Sequence, residues 1–194
     1  MKISKIQKKI EKALDEKRYN HSLGVAYTAS CLAMKYDVDI NKAYLAGILH
    51  DCAKNLSDDK RLELAQRYDI FVSKVEKENP FLLHGKIGAL IAKKKFKIED
   101  EDILNAISFH TTGRPSMSTL EKIIYISDYI EINRIQATNL NIIRKLAFED
   151  LDLCLIKILE DTLNYLKNKN ACIDPETQKT YDYYIKEKLI NDRC

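Results

Sequence analysis

STLEKIIYISDYIE, residues 118–131, reads as a helix with an unusual passenger. Ser118 stands three residues before Glu121, the spacing at which a hydroxyl and a carboxylate cap a helix start reciprocally. The apolar residues behind this cap recur at helical spacing, with no strict alternation. Asp128 sits inside that apolar run. A carboxylate on a buried helical face is costly unless a cation or hydrogen bonds compensate it.

The same period extends outward in both directions. It predicts helices near 2–17, 21–35, 39–51, 58–68, 80–95, 100–110, 118–130, 139–149, 151–168 and 175–189. Asp39 and Ser57 read as N-caps, Pro80 and Pro175 as first-turn prolines, and Gly113 with Pro115 marks a loop. Only five Gly and three Pro occur, far fewer than a turn-rich β-protein uses, and no Asn-Gly or Asp-Gly hairpin signal is present. The expected architecture is all-α: one compact domain over 1–194, with a core of about 18–135 and the helices of 139–189 packed on it.

At 194 residues the chain can bury a sufficient core without disulfides or a structural metal. The formal charge of +3 is too mild to require a polyanionic partner, so no nucleic acid is expected. Lys93-Lys94-Lys95-Phe96-Lys97 fits better as a solvated helix end, where cations oppose the dipole, than as a nucleic-acid patch. No stretch has the apolar length of a membrane span. The five cysteines contain no CxxC pair, which argues against a disulfide framework or a thiolate zinc site and fits a reducing cytoplasm.

The histidines number only four: His21, His50, His84 and His110. His50 is followed directly by Asp51, and imidazole with carboxylate is a ligand set for iron, manganese, nickel or zinc. Alone, the doublet is weak, since about 0.3 His-Asp dipeptides are expected by chance in a chain of this composition. Glycines add a second signal. Gly24 lies three residues after His21, Gly47 three before His50, Gly88 four after His84 and Gly113 three after His110. Residues three or four apart share a helix face. Two explanations compete, clearance for a metal and its ligand or close helix packing; repetition at all four histidines favours clearance.

The order His21, His50-Asp51, Asp128 resembles the HD-domain superfamily of metal-dependent phosphohydrolases, whose H…HD…D ligands hold a metal ion. His84 and His110, between the doublet and the last Asp, resemble the two-metal branch. RYNHSLGVAYTA (18–29), AGILHDCAK (46–54), LLHGKIGA (82–89), FHTTGRPSMSTLEKIIYISDYIE (109–131) and Asn133-Arg134 together are similar to the YqeK family. That family hydrolyses diadenosine tetraphosphate symmetrically to two ADP. The chain departs from it at Ile132, where a Pro is usual, at 135–139, where a Pro-Gly turn is usual, and at Asp174-Pro175-Glu176-Thr177, in place of His-Pro-x-Thr.

The resemblance implies His21, His50, Asp51 and Asp128 as ligands of a first metal, iron by family, with manganese or zinc compatible with the donors. Asp51, with two oxygens, suits a bridging role that imidazole cannot fill. His84 and His110 either complete a second metal site or hold phosphate and act as general acids; the phosphate side is favoured. A metal would acidify bound water for attack on phosphorus, so Asp51, His84 and His110 are the expected catalytic residues. The tetraphosphate carries about four negative charges, and Arg18, Lys54, Thr111 and Arg134, with His84 and His110, are expected to bind it. Arg114, in the 111–114 loop, is a weaker candidate resting on local geometry. Tyr19, Tyr125 and Tyr129 could stack on adenine, but aromatics at helical spacing are more often core, which is the expectation.

Two other functions compete: an HD phosphohydrolase acting on a monoester, a cyclic dinucleotide or a guanosine alarmone, and a non-catalytic nucleotide- or RNA-binding helical module. The sequence leaves a homodimer open.

Overall fold

A computed structural model of the chain describes residues 2–137 and 139–191; Cys194 lies outside the described residues. Among these, no strand occurs. The order is α1 (Ile3–Ala13), α2 (Glu16–Lys35), α3 (Ile40–Leu49), α4 (Asp58–Arg67), α5 (Lys74–Glu78), a 3-10 turn (Pro80–Leu83), α6 (His84–Phe96), α7 (Glu101–Ser108), α8 (Thr119–Ile130), α9 (Leu140–Leu146), α10 (Leu151–Asn168) and α11 (Pro175–Asn191). The all-α expectation holds.

Helices α2, α3, α7 and α8 pack on one another as the centre of the molecule, with α6 on α7 and α10 on α8. One apolar cluster runs through Ile6, Leu32, Leu49, Phe96, Ile107, Ile123, Leu155 and Tyr184, so α1 and α11 share it with the central helices. A smaller cluster of Ala53, Ala65, Leu83 and Ile87 lies under α4 and the 3-10 turn. No helix of the described residues is long and apolar enough to cross a membrane.

The expected caps form. Ser118 and Glu121 make the reciprocal box at α8, and the side chains of Asp39 and Ser57 cap α3 and α4. The structure differs from the sequence reading at the start of α2, between α4 and α6, and at several helix ends. The first helix stops at Ala13 because Leu14 is extended and Asp15 caps a new helix by accepting from Arg18 N at 3.0 Å. Helix α2 therefore begins at Glu16, five residues earlier than expected, and puts Arg18 and His21 on one helix a turn apart. A short helix, α5, was not expected, although its capping box of Ser73 and Glu76 has the same local signature as that of α8. Finally, Pro80–Leu83 is a 3-10 turn, so α6 starts at His84 itself. The exposed Lys93, Lys94 and Lys95 occupy the last turn of α6, as the helix-end reading requires.

The candidate metal centre

His50 ends α3, and its buried ring donates Nδ1–H to the carbonyl of Gly47 at 2.7 Å. His84 does the same to Phe81 O at 2.7 Å, and His110 to Ile107 O at 2.8 Å. Each histidine thus bonds the carbonyl three residues earlier. Committing Nδ1 in this way leaves Nε2 as a lone pair, the tautomer a metal-binding imidazole needs. The rings of His21, His50, His110 and His84 follow one another edge to face, with centroids 5.3, 4.9 and 4.9 Å apart.

His21 is held differently. Its Nε2 lies 3.0 Å from Asp128 Oδ1, while Nδ1 lies 3.1 Å from Glu131 Oε1. Asp51 faces both ends of the row: Oδ2 is 3.8 Å from His50 Nε2, and Oδ1 is 3.4 and 3.5 Å from His84 and His110 Nε2. Asp128 Oδ1 lies 3.9 Å from His50 Nε2. The four side chains expected to hold the first metal, and the two histidines expected beside phosphate, therefore form one cluster. Ligand atoms come within 4.8 Å of one another in three overlapping sets: His21, His50 and Asp51; His50, His110 and Asp128; Asp51, His84 and His110.

Burial pushes His50 down to about 4 and His84 to about 3, so both rings are neutral near pH 7. For Asp51 and Asp128 burial works against ionisation, but the neighbouring histidines, with Lys54 beside Asp51 and Arg134 beside Asp128, hold both carboxyls well below the usual range. His21 is raised: burial lowers it, and its hydrogen bonds to Asp128 and Glu131 outweigh that.

These residues fit a metal ion. The buried His50 Nε2 and Asp51 Oδ1 have no hydrogen-bond partner among the described residues. A buried acceptor without a partner costs on the order of 1–3 kcal/mol, a penalty a cation removes. At the other end, His84 Nε2 and His110 Nε2 face each other at 3.1 Å, with Thr111 Oγ1 3.2 Å from each. Two lone pairs at that distance repel unless a proton or cation lies between them. Lys54 Nζ supplies one such contact, donating to His84 Nε2 at 2.9 Å.

The other sequence candidates also converge. Lys54 Nζ is 3.5 Å and Arg18 Nη1 3.9 Å from Asp51, and Arg134 Nη2 is 2.8 Å from Asp128 Oδ1. A cavity of about 190 Å³ opens beside the centre, lined by His110, Thr111, Asp128 and Arg134 together with Tyr125, Tyr129, Ile158 and Thr162. Tyr125 is core, as expected, but borders this cavity as well. A larger cleft of about 350 Å³ at α8, α10 and α11 contains none of the candidate residues.

Arg114 has a partner of its own, and the reading of the glycines is corrected. The Arg114 guanidinium makes a forked pair with the buried Glu121 carboxylate at 2.7 and 2.8 Å, which ties the loop to α8. Clearance for a metal does not explain the glycines. A Cβ on Gly47 would lie 2.7 Å from Ala26 Cα, and one on Gly88 would crowd Ile107 and His50 O; these are close helix contacts. Gly113 has φ +65 and meets Thr180 of α11. Only Gly24 borders the centre, and there the Cβ would overlap Glu131 Oε2. Glu131 itself escaped the sequence reading. The available signal was a second carboxylate one helical turn beyond Asp128, in the same apolar run.

Residues 18–133 match the HD domain family model. The chain belongs to the HD-domain family. Among its relatives, symmetrical bis(5'-nucleosyl)-tetraphosphatase of Bacillus subtilis is 38% identical over 91% of this chain and 94% of its own length. The protein of that name from Halalkalibacterium halodurans is 42% identical, over 90% and 92%. A crystal structure described as a predicted HD superfamily hydrolase involved in NAD metabolism, from Clostridium acetobutylicum, superposes with a TM-score of 0.93 at 43% identity, over 96% of this chain and 98% of that one. The likeness to YqeK thus extends well beyond the HD domain.

Proposed function

We propose that the protein is a metal-dependent symmetrical dinucleoside tetraphosphate hydrolase that converts diadenosine tetraphosphate and water to two ADP. The observation that carries this is the His50–Asp51 corner: two buried atoms without a hydrogen bond, facing His21, Asp128, His84 and His110, with three cations at the rim. Full-length relatives at 38% and 42% identity named for this activity support the substrate.

His21, His50, Asp51 and Asp128 would hold the metal, and the Asp51 carboxylate, facing both halves of the row, suits a shared ligand. A bound metal supplies Lewis acidity toward phosphate oxygen and a nucleophile from water at neutral pH. Iron is the metal implied by the resemblance; the nitrogen and oxygen donors also accept manganese or zinc. Arg18, Lys54 and Arg134 bind the anionic bridge and absorb charge that spreads over its oxygens. His84, His110 and Thr111 would form the phosphate side, where Thr111 Oγ1–H donates to a phosphate oxygen and the Nε2 lone pairs of the two rings accept a proton. The central P–O–P bond breaks; the water oxygen stays on one phosphorus, and the bridging oxygen leaves with the other ADP.

The unit that does this is read as one domain, with the C-terminal helices completing the core. Four free thiols among the described residues support a reducing cytoplasmic setting. Metal-loaded protein incubated with diadenosine tetraphosphate is the test. Two ADP are expected, and AMP with ATP would reject the symmetrical cut.

A further inference from the structure

We propose that Arg144, on α9 and outside every motif discussed above, is a positioning residue for the metal centre. Its Nε donates to Ile130 O at 2.9 Å, and its Nη2 donates to Glu131 O and Arg134 O, each at 2.9 Å. These carbonyls belong to the end of α8 and the strap that follows. The last carbonyls of a helix have no partner within it and need donors from elsewhere. One guanidinium supplies them at both ends of the Glu131–Arg134 strap.

That strap carries two groups that face the centre. Glu131 is 1% exposed, and its Oε1 meets His21 Nδ1, while Oε2 accepts from Asn133 N at 2.7 Å and Asn133 Nδ2 at 3.1 Å. Arg134 donates to Asp128 O from Nε and to Asp128 Oδ1 from Nη2. Burial does little to hold the strap, because Ile132 and Ile135 are 80% and 82% exposed. Its position therefore depends on polar contacts, and Arg144 makes three. Helix α9 is anchored in turn by the buried Leu140 and Ile143. Helix α9 thus reaches the centre through Arg144, with Glu131 transmitting the position to His21 and Arg134 to Asp128.

The inference rests on the metal-centre reading, not on the substrate. Arg144→Met keeps the aliphatic stem and removes every donor, and Arg144→Lys keeps charge but not the planar fork. Both are compared with the unchanged full chain by titration with manganese, following the free-ion resonance signal well below the melting temperature. Partners that orient metal ligands are typically worth 10–100-fold in affinity. The expected result is a Kd weakened about tenfold in Arg144→Met, partly restored by millimolar guanidinium. Arg144→Lys is expected to weaken it at least about threefold, and decides the matter if Arg144→Met does not fold. Folded variants with unchanged manganese affinity would overturn the proposal. Failure of the unchanged chain to bind manganese would instead sink the metal-centre reading.

Discussion

Glu131 and His21 lie 110 residues apart in sequence, and their side chains meet at 3.1 Å inside the protein. Because Asp128 takes the other ring nitrogen, His21 is oriented from both sides. A carboxylate on the outer nitrogen fixes both tautomer and ring plane of a metal-binding histidine. Glu131→Gln is therefore expected to weaken metal binding by about tenfold with little change in melting temperature. Titration of the metal against a competing chelator measures this, and an unchanged affinity would remove Glu131 from the centre.

Two glycine substitutions should separate the site from the scaffold. Gly24→Ala puts a methyl against Glu131 Oε2, and Gly47→Ala puts one against the Ala26 backbone, where α2 and α3 meet. Both should destabilise by about 1–3 kcal/mol, the usual cost of overpacking. Only Gly24→Ala should also lower metal affinity in protein that remains folded. Denaturant unfolding beside metal analysis distinguishes the two, and equal loss of affinity in both would contradict the assignment.

Removal of His50 or Asp51 tests the chemistry. Metal catalysis of this kind contributes several kcal/mol, so His50→Ala and Asp51→Ala should each reduce ADP formation at least about a hundredfold. Bound metal should fall in parallel. Chromatographic quantification of ADP decides, and full activity in either variant would end the metal mechanism.

Lys54 and Arg134 border the same centre at its rim. Charged hydrogen bonds contribute about 1.5–3 kcal/mol, so losing one phosphate contact should lower kcat/KM by about 10–100-fold. Arg134→Ala is expected to act mainly through KM. An Arg134→Ala enzyme with unaltered KM would place the tetraphosphate elsewhere.

Asp100 offers a pH test away from the centre. Its carboxyl is held below the ordinary 3.8, first by Lys42 and also by the backbone N–H groups it caps at the start of α7. A lowered folded pKa means that the contribution is complete above the unfolded value and lost as pH falls toward the folded one. Lys42→Met should therefore cost a little stability at pH 7, and the gap should narrow as pH falls below the ordinary carboxylate value. Melting curves across that range check it; a gap that widens in acid would refute the pairing.

Much of the centre is legible along the chain. The Ser118–Glu121 box and the Asp39 cap are contacts within three residues, and the His50, His84 and His110 rings each bond a carbonyl three residues back. Such geometry needs only helical spacing, so order and residue type predict it. The candidate ligands came from the H…HD…D resemblance; the residues alone marked only Asp128, a carboxylate on a buried helical face, as needing compensation.

Other features depended on the folded chain. The continuous apolar spacing of Ile3, Ile6, Ile10 and Leu14 conceals the break at Leu14, where an extended residue and the Asp15 cap redirect α2. The glycines could not reveal their purpose because a missing Cβ has meaning only against the atom it would meet: backbone of α2 for Gly47, Thr180 for Gly113 and the Glu131 carboxylate for Gly24. Arg114 and Arg144 are alike as letters in a sequence; one pairs with Glu121, while the other braces the strap beside His21. Sequence alone determined the all-α class, most of the helices and their caps, because those follow from spacing of a few residues and from side-chain chemistry. Tertiary structure alone decided which carboxylate orients His21 and which arginine holds it there, because those contacts join residues far apart in the chain through packing that no local rule encodes.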